Sequence, residues 1–409
     1  MQALEDLQIP ICRMLTEDGR PPYSFQLHNA YWEILEKTEY GKATLLRLQN
    51  DPRVNALNGI LITNGNQMSS ASPWVLAMWF IWYAMKKGEK AAQETLDQWF
   101  TSDTHEIQNT LWVVGLELEQ GLQLPNGISI TPIDDLPESD EKEDYQTLSR
   151  ERVNAHQRRL PACAITKKVS IQKFYDHLSG KNDAYLAEYQ KHSQQLFDVA
   201  ALLNALHGVV CVPYCHTSYV LEPQPLCHFG GRGSSSPIID VSTDTWGKLT
   251  HDSLAALTQL VDSFENRTEQ EQEKLRVILS RLSQAKRRSQ ATDKVLDLGI
   301  ALEMLLLDEA KNDQISLIFR LRGSWLLGES PADRENKYDL LSSLYSARSA
   351  VAHSGTLPKK SKSSIHAANF QEIFPQCEVL ASDIAQKIIL DGWPNWKSLV
   401  LGGNEANNI

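Results

Sequence analysis

YSARSAVAHSG, residues 345–355, decides how the chain is read. Arg348 and His353 stand five positions apart where a helix is expected to end, and Ser354-Gly355 supplies the stop. Upstream, Leu341, Leu344, Arg348 and Val351 recur at steps of three or four, which sets a guanidinium within an apolar stripe. An arginine there cannot shed its proton and needs a carboxylate or phosphate partner. The stretch DKVLDLGIALEMLLLDE (293–309) offers one, because Glu303 falls at helical spacing from Leu296 and Ile300 with apolar neighbours on nearly every side. A buried Glu303–Arg348 pair on neighbouring helices explains both residues without any chemistry, so a structural reading stands beside a functional one.

His353 has two readings as well. In a regular helix, residues five apart are rotated by about 140°, so the two side chains do not meet unless the helix loosens or a second copy supplies the partner group. A histidine in a last turn is also stabilised in its charged form by the helix dipole, which makes plain capping the alternative. Spacing alone decides nothing. RERVNAH (150–156) sets Arg150 before His156 in a polar stretch with no sign of a site around it.

Outward from this motif, helical periods run almost without a strand signal over about 253–266, 269–288, 292–309, 315–327, 334–352 and 365–391. Residues 246–396 therefore read as an all-helical bundle, with 397–409 as a flexible tail. The preceding 1–245 reads as mixed, so the fold class is α+β overall. Helices are expected near 27–48, 73–87 and 184–206, a strand over 209–221, and a hairpin in which Pro125-Asn126-Gly127 joins 116–124 to 128–130. DDLPESDEKED (134–144) reads as a solvated acidic loop, and CHFGGRGSSSP (227–237) as a connection between the two parts.

The net charge of −11 argues at first against a nucleic-acid partner, but it is unevenly placed. Residues 246–396 carry 19 Lys and Arg against 20 Asp and Glu, so nearly all the excess acid lies in 1–245. The C-terminal part can bind RNA; the acidic part is a poor candidate. The first residues show no basic region followed by a long apolar run, so no signal peptide is expected. WVLAMWFIWYAM (74–85) is far short of the roughly 20 residues needed to span a bilayer. With Ser72 as N-cap, Pro73 at the first position and Lys86-Lys87-Gly88 at the end, it reads as a buried helix. Six scattered cysteines without an export signal suggest reduced thiols in a cytoplasm.

The order RLSQAKRRS, TDKVLDLGIALEMLLL, ISLIFRLRGSWLLG and LYSARSAVAHSG resembles an Apea-like HEPN domain over roughly residues 275–390. The likeness rests on the acid of ALEML, the arginines of the next helix and the Tyr-x2-Arg-Ser-x3-His-x-Gly stretch. Ser354 intervenes where family members often continue directly from His to Gly. What the resemblance implies is a metal-independent endoribonuclease needing no cofactor, in which the Arg–His pairs of two protomers form one composite site in a homodimer. On this sequence Arg348 would hold the scissile phosphate and His353 would transfer protons, with Ser349, Tyr345 and Glu303 supporting them. Such domains often serve in anti-phage defence or as growth-arresting toxins, so the N-terminal region is expected to sense a protein or phage-derived trigger or to restrain the nuclease. The rival readings are a catalytically silent module that binds RNA or nucleotide, and a protein-assembly scaffold.

Two basic clusters, Lys286-Arg287-Arg288 and Lys359, Lys360 and Lys362, can deliver RNA phosphates or simply form solvated faces. Arg320 and Arg322 are expected to pack against Glu303. Cys211, Cys215 and Cys227 with His207, His216 and His228 crowd a short span but lack a paired Cys-x2-Cys knuckle, and no metal is assigned. Gly230–Gly233 follows no clear strand and reads as linker. Trp74, Trp79 and Trp82 are expected to pack within the protein and not to stack on bases.

Overall fold

The computed structural model describes residues 32–63, 68–118, 120–137, 142, 145–146, 161–175, 182–227, 247–307, 314–358 and 370–401. The chain is α+β, with a helical C-terminal region, and divides into two compact units. The first comprises Met1–Trp112, Gln120–Leu196 and Tyr214–Ser236; the second comprises Val113–Glu119, Phe197–Pro213 and Pro237–Ile409.

In the first unit, α1 (Glu39–Gln49) and α2 (Pro52–Ala56) precede a small antiparallel pair, β1 (Leu61–Thr63) and β2 (Met68–Ser70). The helical stretch expected near 27–48 is interrupted at Thr38, which caps α1 by accepting from the Gly41 amide. The core helix is α3 (Pro73–Lys87). Ser72 accepts from the Val75 amide, Pro73 sits in the first turn, and Gly88 ends the helix at a φ of 92°. Leu76, Trp79, Phe80 and Ile81 are all fully enclosed, which is why this helix is apolar nearly all round. Around it pack Ile34, Leu35, Tyr40, Leu48 and, from α4 (Glu89–Thr101), Leu96 and Trp99. No helix among the described residues is long and apolar enough to cross a membrane.

The main sheet of this unit has the order β5-β6-β7-β3-β9, formed by β3 (Thr104–Val114), β5 (Leu122–Gln123), β6 (Ile128–Pro132), β7 (Cys163–Gln172) and β9 (Val212–Val220). The expected hairpin is present between β5 and β6, with Leu122 opposite Ile130 across the Pro125–Gly127 turn. Its first strand does not run through from residue 116. A separate β4 (Leu116–Glu117), which belongs to the second unit, pairs in parallel with β10 (Gly247–Lys248) of the same unit instead. A short β8 (Phe174–Tyr175) pairs with β1. The helix expected near 184–206 is α5 (Asn182–Leu203).

The sheet interior of the first unit is unusually polar. His216 Nε2 lies 2.6 Å from Asn109 Oδ1, Ser218 Oγ donates to the same oxygen, and Tyr189 of α5 meets Ser218 at 2.7 Å. Asn109 in turn donates to Ser193 of α5. On the opposite side of β3, Trp112 Nε1 donates to Thr217 Oγ1 at 3.0 Å. His105, also on β3, is 3% exposed and lies beside the Thr63 backbone.

The second unit holds α6 (His251–Glu265), α7 (Glu269–Arg287), α8 (Ala291–Leu306), α9 (Ile315–Leu327), α10 (Pro331–Ser354), α11 (Phe370–Asp391) and α12 (Trp396–Val400). These follow the sequence periods closely, and several starts are marked locally. Thr268 and Glu271 form a reciprocal capping box at α7. Ser330 accepts from the Asp333 amide at α10, ahead of Pro331. The core is a column of Leu279, Leu282, Leu298, Leu302, Leu305, Leu341, Leu344, Ile384 and Ile388, each nearly fully enclosed.

Candidate functional site

The site is built where α8 packs against α10 in the second unit. The buried stripe of α10 is Leu341, Leu344, Ala347 and Val351, and Arg348 lies at its half-buried edge. From there Arg348 Nη2 donates to Glu303 Oε2 at 2.8 Å. Both side chains are largely covered, at 29% and 21% exposure. Burial pushes the Glu303 carboxyl above its ordinary value, and the Arg348 guanidinium pulls it back only in part. Arg348 Nε is enclosed and has no hydrogen-bond partner among the described residues.

Gly299 makes this arrangement possible. It precedes Glu303 by one turn of α8, and a Cβ there would stand 2.6 Å from Arg348 Cγ. The arginine stem therefore runs along the bare backbone of α8 and delivers its head to the carboxylate on the same face. Sequence reasoning missed Gly299, although a lone glycine inside an apolar helical period was the available signal.

His353 is exposed in the last turn of α10. The helix stays regular through Ser354, and only then does Gly355 enter the left-handed region at φ 69°, its amide bonding the Val351 carbonyl at 2.8 Å. The helix does not loosen between the two residues, so within one chain Arg348 faces α8 while His353 faces outward. Ser349 is half-buried, and Tyr345 packs against Phe319 with ring centroids 5.4 Å apart.

Of the first basic cluster, Lys286 is a correction. It is 3% exposed, and its Nζ donates to the Leu206 carbonyl at 2.7 Å, capping the chain beyond α5. A lysine enclosed in this way cannot meet an RNA phosphate, and burial lowers its pKa to about 8. Arg287 is half-buried, and Arg288 donates through Nε to Asp297 of α8 at 3.2 Å. Lys359, Lys360 and Lys362 lie outside the described residues, as do Gly230–Gly233 and the Arg150–His156 stretch. Arg320 donates to Ser316 and Arg322 to the Leu306 carbonyl, and neither donates a hydrogen bond to Glu303.

The cysteines do not assemble into a centre. Cys215 belongs to the cluster around Trp112, Cys227 to the core around α3, and Cys211 is buried in the second unit. His207 meets Asp383 at 2.7 Å, and His216 serves Asn109. Among the described residues no three His, Cys, Asp or Glu side chains are grouped to hold a metal ion. Comparison with protein-family models, with curated proteins and with solved structures finds no match.

Proposed function

We propose that the chain is a metal-independent endoribonuclease whose site is completed by two copies of α10, as the resemblance to HEPN domains implies. The observation that carries this reading is the state of Arg348. Glu303 orients one edge of the guanidinium, while the buried Nε–H lacks an acceptor. The side chain keeps 29% exposure and only its Nη2 is bonded among the described residues, so the outer edge of the guanidinium is open to a phosphate oxygen. The regular helix between Arg348 and His353 supports a composite site, because the histidine of one chain cannot serve the arginine of the same chain.

In this scheme the 2′-hydroxyl of RNA attacks the adjacent phosphorus and gives its proton to one His353. The 5′-oxygen leaves with a proton from the other, so a 2′,3′-cyclic phosphate and a 5′-hydroxyl result. Arg348 holds the charge that develops on the phosphoryl oxygens. The acidic N-terminal region restrains the nuclease until a protein or phage-derived trigger relieves it, in a cytoplasmic role in defence or growth arrest. A second reading, a silent module that binds RNA or nucleotide or serves as a scaffold, is favoured by the Glu303–Arg348 bond, which satisfies a structural role for both residues.

The test is cleavage of total cellular RNA in EDTA by wild type, Arg348→Ala and His353→Ala. Cyclic-phosphate ends from wild type alone carry the proposal. Equal products from wild type and His353→Ala sink it.

A further inference from the structure

We propose a phosphate-binding fork in the second unit, formed by Arg281 of α7 and Arg288 at its end, with Asp297 of α8 as its organiser. Asp297 is 5% exposed and receives Arg281 Nη1 on Oδ1 at 3.0 Å and Arg288 Nε on Oδ2 at 3.2 Å. Arg281 Nη1 also reaches Gln284 Oε1 at 3.2 Å. One carboxylate thus holds two guanidiniums, which leaves the cluster with a net charge of +1. Each arginine spends only one nitrogen on this anchor. Arg281 Nε and Nη2 and both terminal nitrogens of Arg288 make no other bond among the described residues.

Another arginine pairing in the same unit shows the difference. Arg276 grips Asp198 through both Nε and Nη2, at 2.7 and 2.9 Å, one cation to one anion. That is a closed brace. Arg281 and Arg288 remain 40% and 37% exposed while their anchor is enclosed, so their free edges are open to solvent and held in place by the buried carboxylate. Two oriented guanidinium edges with one surplus positive charge suit the oxygens and the single negative charge of a phosphodiester. The occupant is a backbone phosphate of single-stranded RNA. The choice of RNA as the source of that phosphate rests on the RNA reading proposed above, but none of the fork's residues bonds Arg348 or Glu303 and no cleavage at His353 is needed.

The test is anisotropy of a short fluorescent 2′-O-methyl RNA, which cannot be cut through its 2′-oxygen, titrated with the full chain at several salt concentrations. Arg281→Gln and Arg288→Gln are each expected to weaken binding about tenfold. The salt slope should fall by about 0.7 for the one phosphate lost. Removing both arginines strands the buried carboxylate, so the paired loss is measured with Asp297→Asn added, and melting curves confirm that each variant is folded. ATP and inorganic phosphate serve as competitors. If neither displaces the RNA near its own dissociation constant, the backbone source is upheld. If either does so in wild type but not in the variants, the fork holds a free nucleotide or phosphate, and the RNA assignment is overturned. Unchanged affinity in folded variants, or no binding of any probe by wild type, overturns the fork itself and leaves a structural brace.

Discussion

Gly299 and Arg348 are matched as surface and rod: a Cβ at position 299 would stand 2.6 Å from Arg348 Cγ and 3.2 Å from its Cβ. The glycine is otherwise a poor choice for a helix interior, where alanine is better by about 1 kcal/mol. Gly299→Ala is therefore expected to destabilise the chain by about 1–3 kcal/mol through overpacking, against its propensity gain. In an Arg348→Ala background the same change should cost close to nothing. A double-mutant cycle read by denaturant melts checks this, and additive effects would mean the two residues do not support each other.

The Glu303 carboxyl is raised by burial and partly restored by Arg348. Arg348→Ala removes the restoring partner, so the Glu303 pKa should rise further. A carboxyl raised in the folded state binds more protons there than in the unfolded chain, so its cost grows as pH rises through and above the unfolded value. Arg348→Ala should then lose more stability at pH 8 than at pH 5, and the carbon resonance of the Glu303 carboxyl followed against pH reads the shift directly.

Burial holds both His105 and His216 down at about 4. The unfolded chain takes up these two protons near pH 6.5 and the folded chain only near 4, so stability is lost as pH falls through that window. The slope at its steepest should be about 2–3 kcal/mol per pH unit. His105→Phe removes one of these two protons and gives up only the contact with the Thr63 backbone, so it is expected to flatten the acid limb. Melting temperatures between pH 4.5 and 7 decide it.

Lys286 is lowered to about 8 by burial, with Glu378 offsetting part of the effect. The folded chain sheds this proton before the unfolded one, so stability is gained as pH rises from about 8 toward the ordinary lysine value. Lys173 is lowered to about 8 in the same way, and the contribution of Lys286 is read as a difference between wild type and Lys286→Met. The variant should lose part of the alkaline gain while RNA affinity stays unchanged. A loss of affinity in a folded variant would return Lys286 to the binding surface.

The helices of the second unit were legible because their signals are local. Ser330-Pro331 and Gly355 bracket α10, Thr268 and Glu271 open α7, and apolar residues recur at the helical step between them. The same reasoning paired Arg348 with Glu303 through burial alone, and the bond is there. It failed where position depends on distant chain. Lys286 reads as part of a basic run, but its amine is claimed by the Leu206 carbonyl, 80 positions away. Asp297 gave no sign that two arginines converge on it. The strand β3 escaped notice for another reason: it is buried on both sides from Ile107 to Val114, so the alternation that betrays a half-buried strand is absent.

That double burial of β3 bears on how its sheet keeps alignment. Asn109 binds His216 and Ser218 on one side of the neighbouring strands, and Trp112 binds Thr217 on the other. In an ordinary half-buried sheet a slip of one residue is resisted because it turns greasy side chains outward. Here a slip of β9 along β3 would exchange the two sets of partners and leave a buried amide, an indole N–H and several hydroxyls with nothing to bind. The strands are keyed to each other like the two sides of a coded lock, by polar atoms that fit in a single alignment.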